Sequence, residues 1–235
     1  MCSNYRPATG RELAHYAVDM PEGAIAGKDV FPGGVAPMIF RAPDRAVRSC
    51  VAGVFGLLPA WAKAPDFSRH TYNARAETVA EKASYRHAWQ HRQLCIVPAM
   101  AIYEPNYESG KSRWWRIQRA DEQPMAIAGL WERKRWGDET PSWSFTMVTV
   151  NAAEHSVMRR FHKPGDEKRS VVILPDEHVD DWLTSTNEEQ MRALMTLYPA
   201  DLLSCSAGRQ DSDNKDEPEA SGDGNEKRGP QAALS

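Results

Sequence analysis

Cysteine follows Met1, and a terminal cysteine is a nucleophile that needs little help from neighbours. Removal of Met1 by methionine aminopeptidase is expected, because the second residue is small. The chain then begins with a free α-amine and a thiol on adjacent carbons. With an aldehyde, the amine forms an imine and the thiol closes onto the imine carbon, giving a five-membered thiazolidine. The ordinary pKa values, about 7.7–8.0 for the amine and about 8.5 for the thiol, leave both groups partly deprotonated near neutral pH. Three other segments carry groups that such chemistry uses. Asn73 sits in the polar run Tyr72-Asn73-Ala74-Arg75-Ala76-Glu77-Thr78, which reads as the opening of a helix. Glu104 ends an apolar pair of strands that starts at Cys95. His162 follows Arg160-Phe161 and precedes Lys163-Pro164. Each also has a plainer reading: a helix N-cap for Asn73, a solvated carboxylate for Glu104, a structural imidazole for His162.

The chain has 235 residues, enough for one large domain or two small ones. Its net charge of −3 lies entirely in the tail: from Ser206 onward, four basic residues face seven acidic ones. The body is balanced, so composition alone does not call for nucleic acid, although a local basic patch remains open. The four cysteines are scattered without a C-x-x-C pair, against both a zinc ribbon and a disulfide framework. With neither an apolar leader nor a stretch long enough to span a membrane, the reading is a cytoplasmic, monomeric protein. His87 and His91 have a spacing able to hold a metal but show no third ligand, so no metal and no cofactor is expected.

These groups need elements to position them. Alternation and turn residues predict strands over 51–58, 94–98, 101–104, 113–118, 125–131, 144–150 and 170–174. Helices are predicted over 11–19, 77–91, 152–160, 176–185 and 188–197. Strands cluster in the middle without regular βαβ alternation. The fold class is therefore α+β, a single domain with a curved, largely antiparallel sheet and flanking helices over residues 1–205. The remaining segment, 206–235, is nearly devoid of aliphatics and reads as a disordered acidic tail.

Taken together, Cys2, the Asn73-Ala74-Arg75-Ala76-Glu77-Thr78 box, the Cys95 to Glu104 stretch, Val148-Thr149 and the segment from His162 to Leu174 resemble the SOS-response-associated peptidase (SRAP) family, the abasic-site processing proteins. The matches run in family order from residue 2 to about Pro175. The resemblance implies recognition of abasic sites in single-stranded DNA and a covalent thiazolidine DNA–protein crosslink through Cys2, shielding the lesion in the DNA damage response. It implies Glu104 as general acid/base, Asn73 on the sugar or the Cys2 amine, and His162 in proton transfer and crosslink reversal. Arg75 and Arg169 would hold phosphates, with Thr149 and a stacking Trp61 completing the DNA-binding set. The chain departs from the pattern in three places. Ser3-Asn4 replaces Gly-Arg, Pro59-Ala60-Trp61-Ala62 keeps one tryptophan of a Pro-Gly-Trp-Trp wedge, and the His box is stretched by an insertion at 164–168. Two other functions use the same residues: a thiol peptidase with Cys2 as nucleophile and His162 as base, and a single-stranded DNA-binding module without covalent chemistry. Arg133-Lys134-Arg135 and Arg159-Arg160 are candidate groove residues or ordinary solvated surface.

Overall fold

Thirteen consecutive residues, Leu94–Asn106, form the strand around which the rest is arranged (β5). The computed structural model describes residues 2–24, 28–42, 46–137 and 142–208. The other strands are β1 (Tyr5–Pro7), β2 (Val35–Phe40), β3 (Ser49–Phe55), β4 (Asn73–Arg75), β6 (Arg113–Arg119), β7 (Met125–Lys134), β8 (Ser142–Asn151), β9 (Arg169–Val171), β10 (Ile173–Leu174) and β11 (Leu203–Ala207). Helices α1 (Arg86–Gln90), α2 (Val179–Leu183) and α3 (Glu188–Ala193) are short, and 3-10 segments, the longest Gly10–Tyr16 and Pro65–His70, supply the remaining helical character.

β5 pairs with β2 and with β7, β7 with β8, β8 with β3, and β3 with β2. These five strands close on themselves, antiparallel everywhere except between β3 and β8. A closed sheet removes the edges that would otherwise invite pairing with other chains. Side chains alternate along the first half of β5. Leu94 and Ile96 join Trp89 and Trp182 beneath the helices, whereas Cys95 and Val97 join Phe55, Phe145 and Met147 inside the ring. The Trp182 indole donates to the Cys95 carbonyl at 2.9 Å, fastening α2 to the sheet.

The α+β class, the single domain and the curved, largely antiparallel sheet match the expectation. Several boundaries differ, for physical reasons. The strand expected to break at Pro98 runs through it. Pro98 lies between the end of the β2 pairing at Ile96 and the start of the β1 pairing at Ala99, where no N–H is required, and its carbonyl still accepts from Ala8. The segment read as a helix from Glu77 is helical only over Arg86–Gln90. Before it, Asn73–Arg75 runs parallel to β8, and Ala76 N donates to Thr149 O, holding the chain extended where a cap was expected. The helix expected over 152–160 shrinks to one 3-10 turn, Met158–Arg160. At the other end, β11 pairs with β6 through Ala207, so ordered strand passes the expected boundary at 205; the tail from 209 lies outside the described residues. Among the described residues, no helix is long and apolar enough to cross a membrane.

Candidate active site

The N-terminal segment is stitched to β5 before it reaches Cys2. Tyr5 lies opposite Ile102, Tyr103 N donates to Asn4 O at 3.0 Å, and Tyr5 exchanges two backbone bonds with Val30. This brings Cys2 beside the far half of β5, where it is 1 % exposed. Its Sγ lies 3.5 Å from Asn4 O, and its carbonyl accepts from Asn73 Nδ2 at 2.7 Å. Asn73 is held in turn by its place opposite Met147 and by the Tyr85 hydroxyl, which donates to the Asn73 carbonyl at 2.9 Å.

Glu104 is buried within β5 rather than ending it, opposite Trp115. Its Oε2 lies 3.1 Å from His162 Nε2. That is ion-pair distance, yet neither ring nitrogen of His162 is aligned for a hydrogen bond. His162 has φ 67°, a left-handed conformation uncommon for a residue with a Cβ and typical of strained functional positions. The strain is maintained from both sides. His162 N donates to Pro105 O, and the Lys168 ammonium donates to the carbonyls of Phe161, His162 and Lys163 at 2.9, 3.0 and 3.1 Å. The insertion thus supplies the lysine that ties down its own loop.

Around Cys2, six buried polar atoms have no hydrogen-bond partner: Asn4 Nδ2 and Oδ1, the Tyr5 hydroxyl, Asn73 Oδ1, and both ring nitrogens of His162. Buried polar groups are nearly always paired, so this cluster has hydrogen-bonding capacity to offer a polar ligand or water. Burial, reinforced by the neighbouring Glu104 carboxylate, pushes the Cys2 thiol far above its ordinary range. Burial, then Cys2 and Glu104, also raises the phenol of Tyr72, which places that ring beside the site. Sequence reasoning passed over Asn4 and Tyr72 as site residues; Tyr72 stood in the quoted run, adjacent to Asn73.

The residues expected at DNA are differently placed. Asn73 and Arg75 share one face of β4, since residues two apart in a strand point the same way. The half-exposed Arg75 guanidinium pairs with Glu167 at 2.8 Å. Arg169, expected to hold a phosphate, is buried among protein acceptors: Thr149 Oγ1, Thr149 O, Glu77 and Glu167, at 2.5 to 3.2 Å. Thr149 is buried and bonded to Ala74 O and Arg169, so it braces strands. Trp61 is 52 % exposed on the loop after β3, its indole N–H donating to Ala83 O. Arg75, His162, Glu167 and Arg169 border a cavity of about 410 Å³. His162 also borders a second, of about 650 Å³, with Arg159, Arg160 and Lys168. Elsewhere, His87 Nδ1 meets Glu132 at 2.7 Å, and among the described residues no three metal-ligating side chains converge.

Comparison with known proteins identifies the family. The family model described as SOS response associated peptidase (SRAP) matches residues 1–210. Abasic site processing protein YoqW of Bacillus subtilis is 33% identical over 150 residues, covering 63% of each chain. Abasic site processing protein HMCES of Xenopus tropicalis is 25% identical over 183 residues, covering 68% of this chain and 52% of its own. The chain thus aligns with less than two thirds of the length of these curated relatives. A crystal structure from Bordetella bronchiseptica, 35% identical, superposes with a TM-score of 0.79 over 88% of this chain and 100% of its own. One from Bacteroides thetaiotaomicron, 20% identical, shares the fold at a TM-score of 0.76, covering 89% of this chain and 93% of its own. With the family model spanning residues 1–210, the chain belongs to the SOS response associated peptidase (SRAP) family.

Proposed function

We propose that this protein processes abasic sites in single-stranded DNA by covalent capture on Cys2 once Met1 is removed. The observation that carries the reading is the fixation of Cys2 by Asn73 beside the Glu104–His162 pair, amid buried polar atoms that lack partners. The relatives' description as abasic site processing proteins supports it.

The ring-opened deoxyribose presents an aldehyde. The α-amine of Cys2 attacks its carbon, giving a carbinolamine, and loss of one water leaves an imine. The Cys2 sulfur then adds to the imine carbon while the thiol proton passes to nitrogen, closing the thiazolidine. The only net loss is one water. Glu104 and His162, in contact with each other at 3.1 Å, move the protons: one must protonate the departing hydroxyl and the other accept from the attacking group. Asn73 positions the nucleophile through the Cys2 carbonyl and has a free Oδ1 for the sugar or the amine. Arg75 holds an adjacent phosphate, and Trp61 offers an exposed ring for a base.

A thiol peptidase needs its sulfur as thiolate at neutral pH, and active-site thiols reach this through cationic or helix-terminal surroundings. Burial and Glu104 drive Cys2 the opposite way. Aldehyde capture tolerates this, because the amine makes the first bond and the thiol needs only to transfer its proton during ring closure.

The test is a denaturing gel of the protein, with loss of Met1 confirmed by mass spectrometry, against an oligonucleotide carrying one abasic site. A shifted band that requires both Cys2 and the lesion is expected, with Glu104→Gln slowing its formation. No band from correctly processed protein would sink the covalent mechanism and leave the DNA-binding module as the reading.

A further inference from the structure

The most conspicuous neighbour of the proposed phosphate site is a carboxylate. Glu167 Oε2 lies 2.8 Å from Arg75 Nη1, and Glu167 Oε1 lies 2.5 Å from Arg169 Nη1. The two oxygens thus bridge two guanidiniums, the geometry in which arginines grip phosphate oxygens. Asn151 Nδ2 approaches the same carboxylate at 3.5 Å. The hydrogen bond from Arg169, with the charges of Arg169 and Arg75, holds the Glu167 carboxyl below the usual carboxylate range, so it is ionised at neutral pH. Glu167 belongs to the segment 164–168 that stretches the His box, and that loop is fixed by the three carbonyl contacts of Lys168.

We propose that Glu167 is a resident occupant of the anion site and a specificity-determining residue, which a DNA phosphate must displace from Arg75 before it can bind. Arg169 does not change partners: it is 2 % exposed and is held by Thr149 and Glu77 as well. Arg75, with 48 % of its side chain exposed, is the arm that is handed over. Only a ligand that offers Arg75 a better acceptor than a bridging carboxylate gains entry, which favours phosphate-bearing substrates over neutral aldehydes. The inference rests on the reading of Arg75 as a phosphate ligand.

The test measures reversible binding of the full chain to undamaged single-stranded DNA, which has no aldehyde to trap, across a series of salt concentrations. In wild type, Glu167 cancels part of the charge offered to the strand. Glu167→Gln should tighten binding about two- to fivefold at 0.1 M salt, the range of exposed ion pairs. It should also steepen the log–log salt dependence by up to about 0.7, the value for one single-strand phosphate. Asp166→Asn removes a neighbouring charge bordering the same cavity without touching the bridge, and should do less. Arg75→Ala should weaken binding more in the Glu167→Gln background than in wild type. If Arg75→Ala changes nothing in either background, the phosphate reading of Arg75 fails. If Arg75→Ala weakens binding but Glu167→Gln fails to tighten it, or Asp166→Asn tightens it equally, the occupant role of Glu167 alone is overturned.

Discussion

Replacing Asn73 by alanine should unfasten Cys2 without unfolding the protein. The Asn73 Nδ2 bond to the Cys2 carbonyl is 2.7 Å long and buried. Removing it forfeits about 1 kcal/mol of net hydrogen bonding and leaves a buried carbonyl without its donor, so the local cost is about 1–2 kcal/mol. The strand pairing from Asn4 onward remains, with Tyr103 N on Asn4 O and the Tyr5–Val30 exchange intact. The loss therefore falls on a local opening of the first residues, whose equilibrium constant rises about 5- to 30-fold. The assay is labelling by a small thiol reagent in a Cys50→Ser, Cys205→Ser background, which removes the two half-exposed thiols and keeps the buried Cys2 and Cys95. Cys2 labelling should accelerate by that factor, while Cys95, inside the ring, should not change. Labelling of Cys2 within twofold of the parent would refute the anchoring role. Equal acceleration at Cys95 would refute it differently, by showing that Asn73 supports the whole fold rather than the nucleophile.

Four other substitutions check separate parts of the structure. Gly56 has φ 120°, and a Cβ there would lie 2.0 Å from Ser68 O, so Gly56→Ala should cost about 3 kcal/mol or more in chemical denaturation. Gly110→Ala, at φ 78° in open space, should cost only about 1–2 kcal/mol from its left-handed backbone. Arg119→Leu should destabilise by about 2 kcal/mol at neutral pH, since the arginine joins Asp121 and Asp176 and both carboxylates are themselves partly exposed. Bonds from Arg119 lower Asp121, and Asp176 stays low against the opposing effect of burial through Arg119 and His15. Folded values below the unfolded ones mean that this stability is present above about pH 4 and lost as pH falls through them, so acid titration should close the gap between variant and wild type. Finally, Trp61→Ala should lower stability by no more than about 1 kcal/mol, since it loses only an exposed bond to Ala83 O and an edge contact with Phe67. It should weaken single-stranded DNA binding by about 1–3 kcal/mol, as read by fluorescence anisotropy.

The site was more legible in the sequence than the elements that carry it. Cys2, Asn73, Glu104 and His162 are singled out by the motifs of the family resemblance, since residue type alone leaves each a plainer structural reading, and the fold brings them together. Their supports depend on partners distant in sequence. Nothing local in Asn73-Ala74-Arg75 announces a strand, and the polar run resembles a helix start; only parallel pairing with β8 makes it extended. Val35–Phe40 escaped notice for a related reason, since Pro37 argues against a strand that ring closure between β3 and β5 nevertheless requires. Arg169 shows the limit most clearly. As a basic residue in a stretched motif it reads as a phosphate ligand, but its position opposite Asn151 in the β8–β9 pairing turns its guanidinium onto Thr149, Glu77 and Glu167.

The insertion in the His box changes how the site handles charge. Lys168 fixes the loop by capping three carbonyls and so helps to hold His162 in its left-handed conformation. One residue earlier, Glu167 reaches Arg75, which lies on the face of β4 that also carries Asn73. A single short segment therefore touches both His162 of the Glu104–His162 pair and the guanidinium proposed for the phosphate. Cys2 is buried with its thiol pushed upward, and under the two proposals the anion site beside it is occupied by Glu167, so two separate features would keep the nucleophile quiet. Under the proposed function, a phosphate at Arg75 and an aldehyde at Cys2 must arrive on the same ligand. A DNA nucleotide that has lost its base presents both, and a free metabolite aldehyde without a phosphate does not.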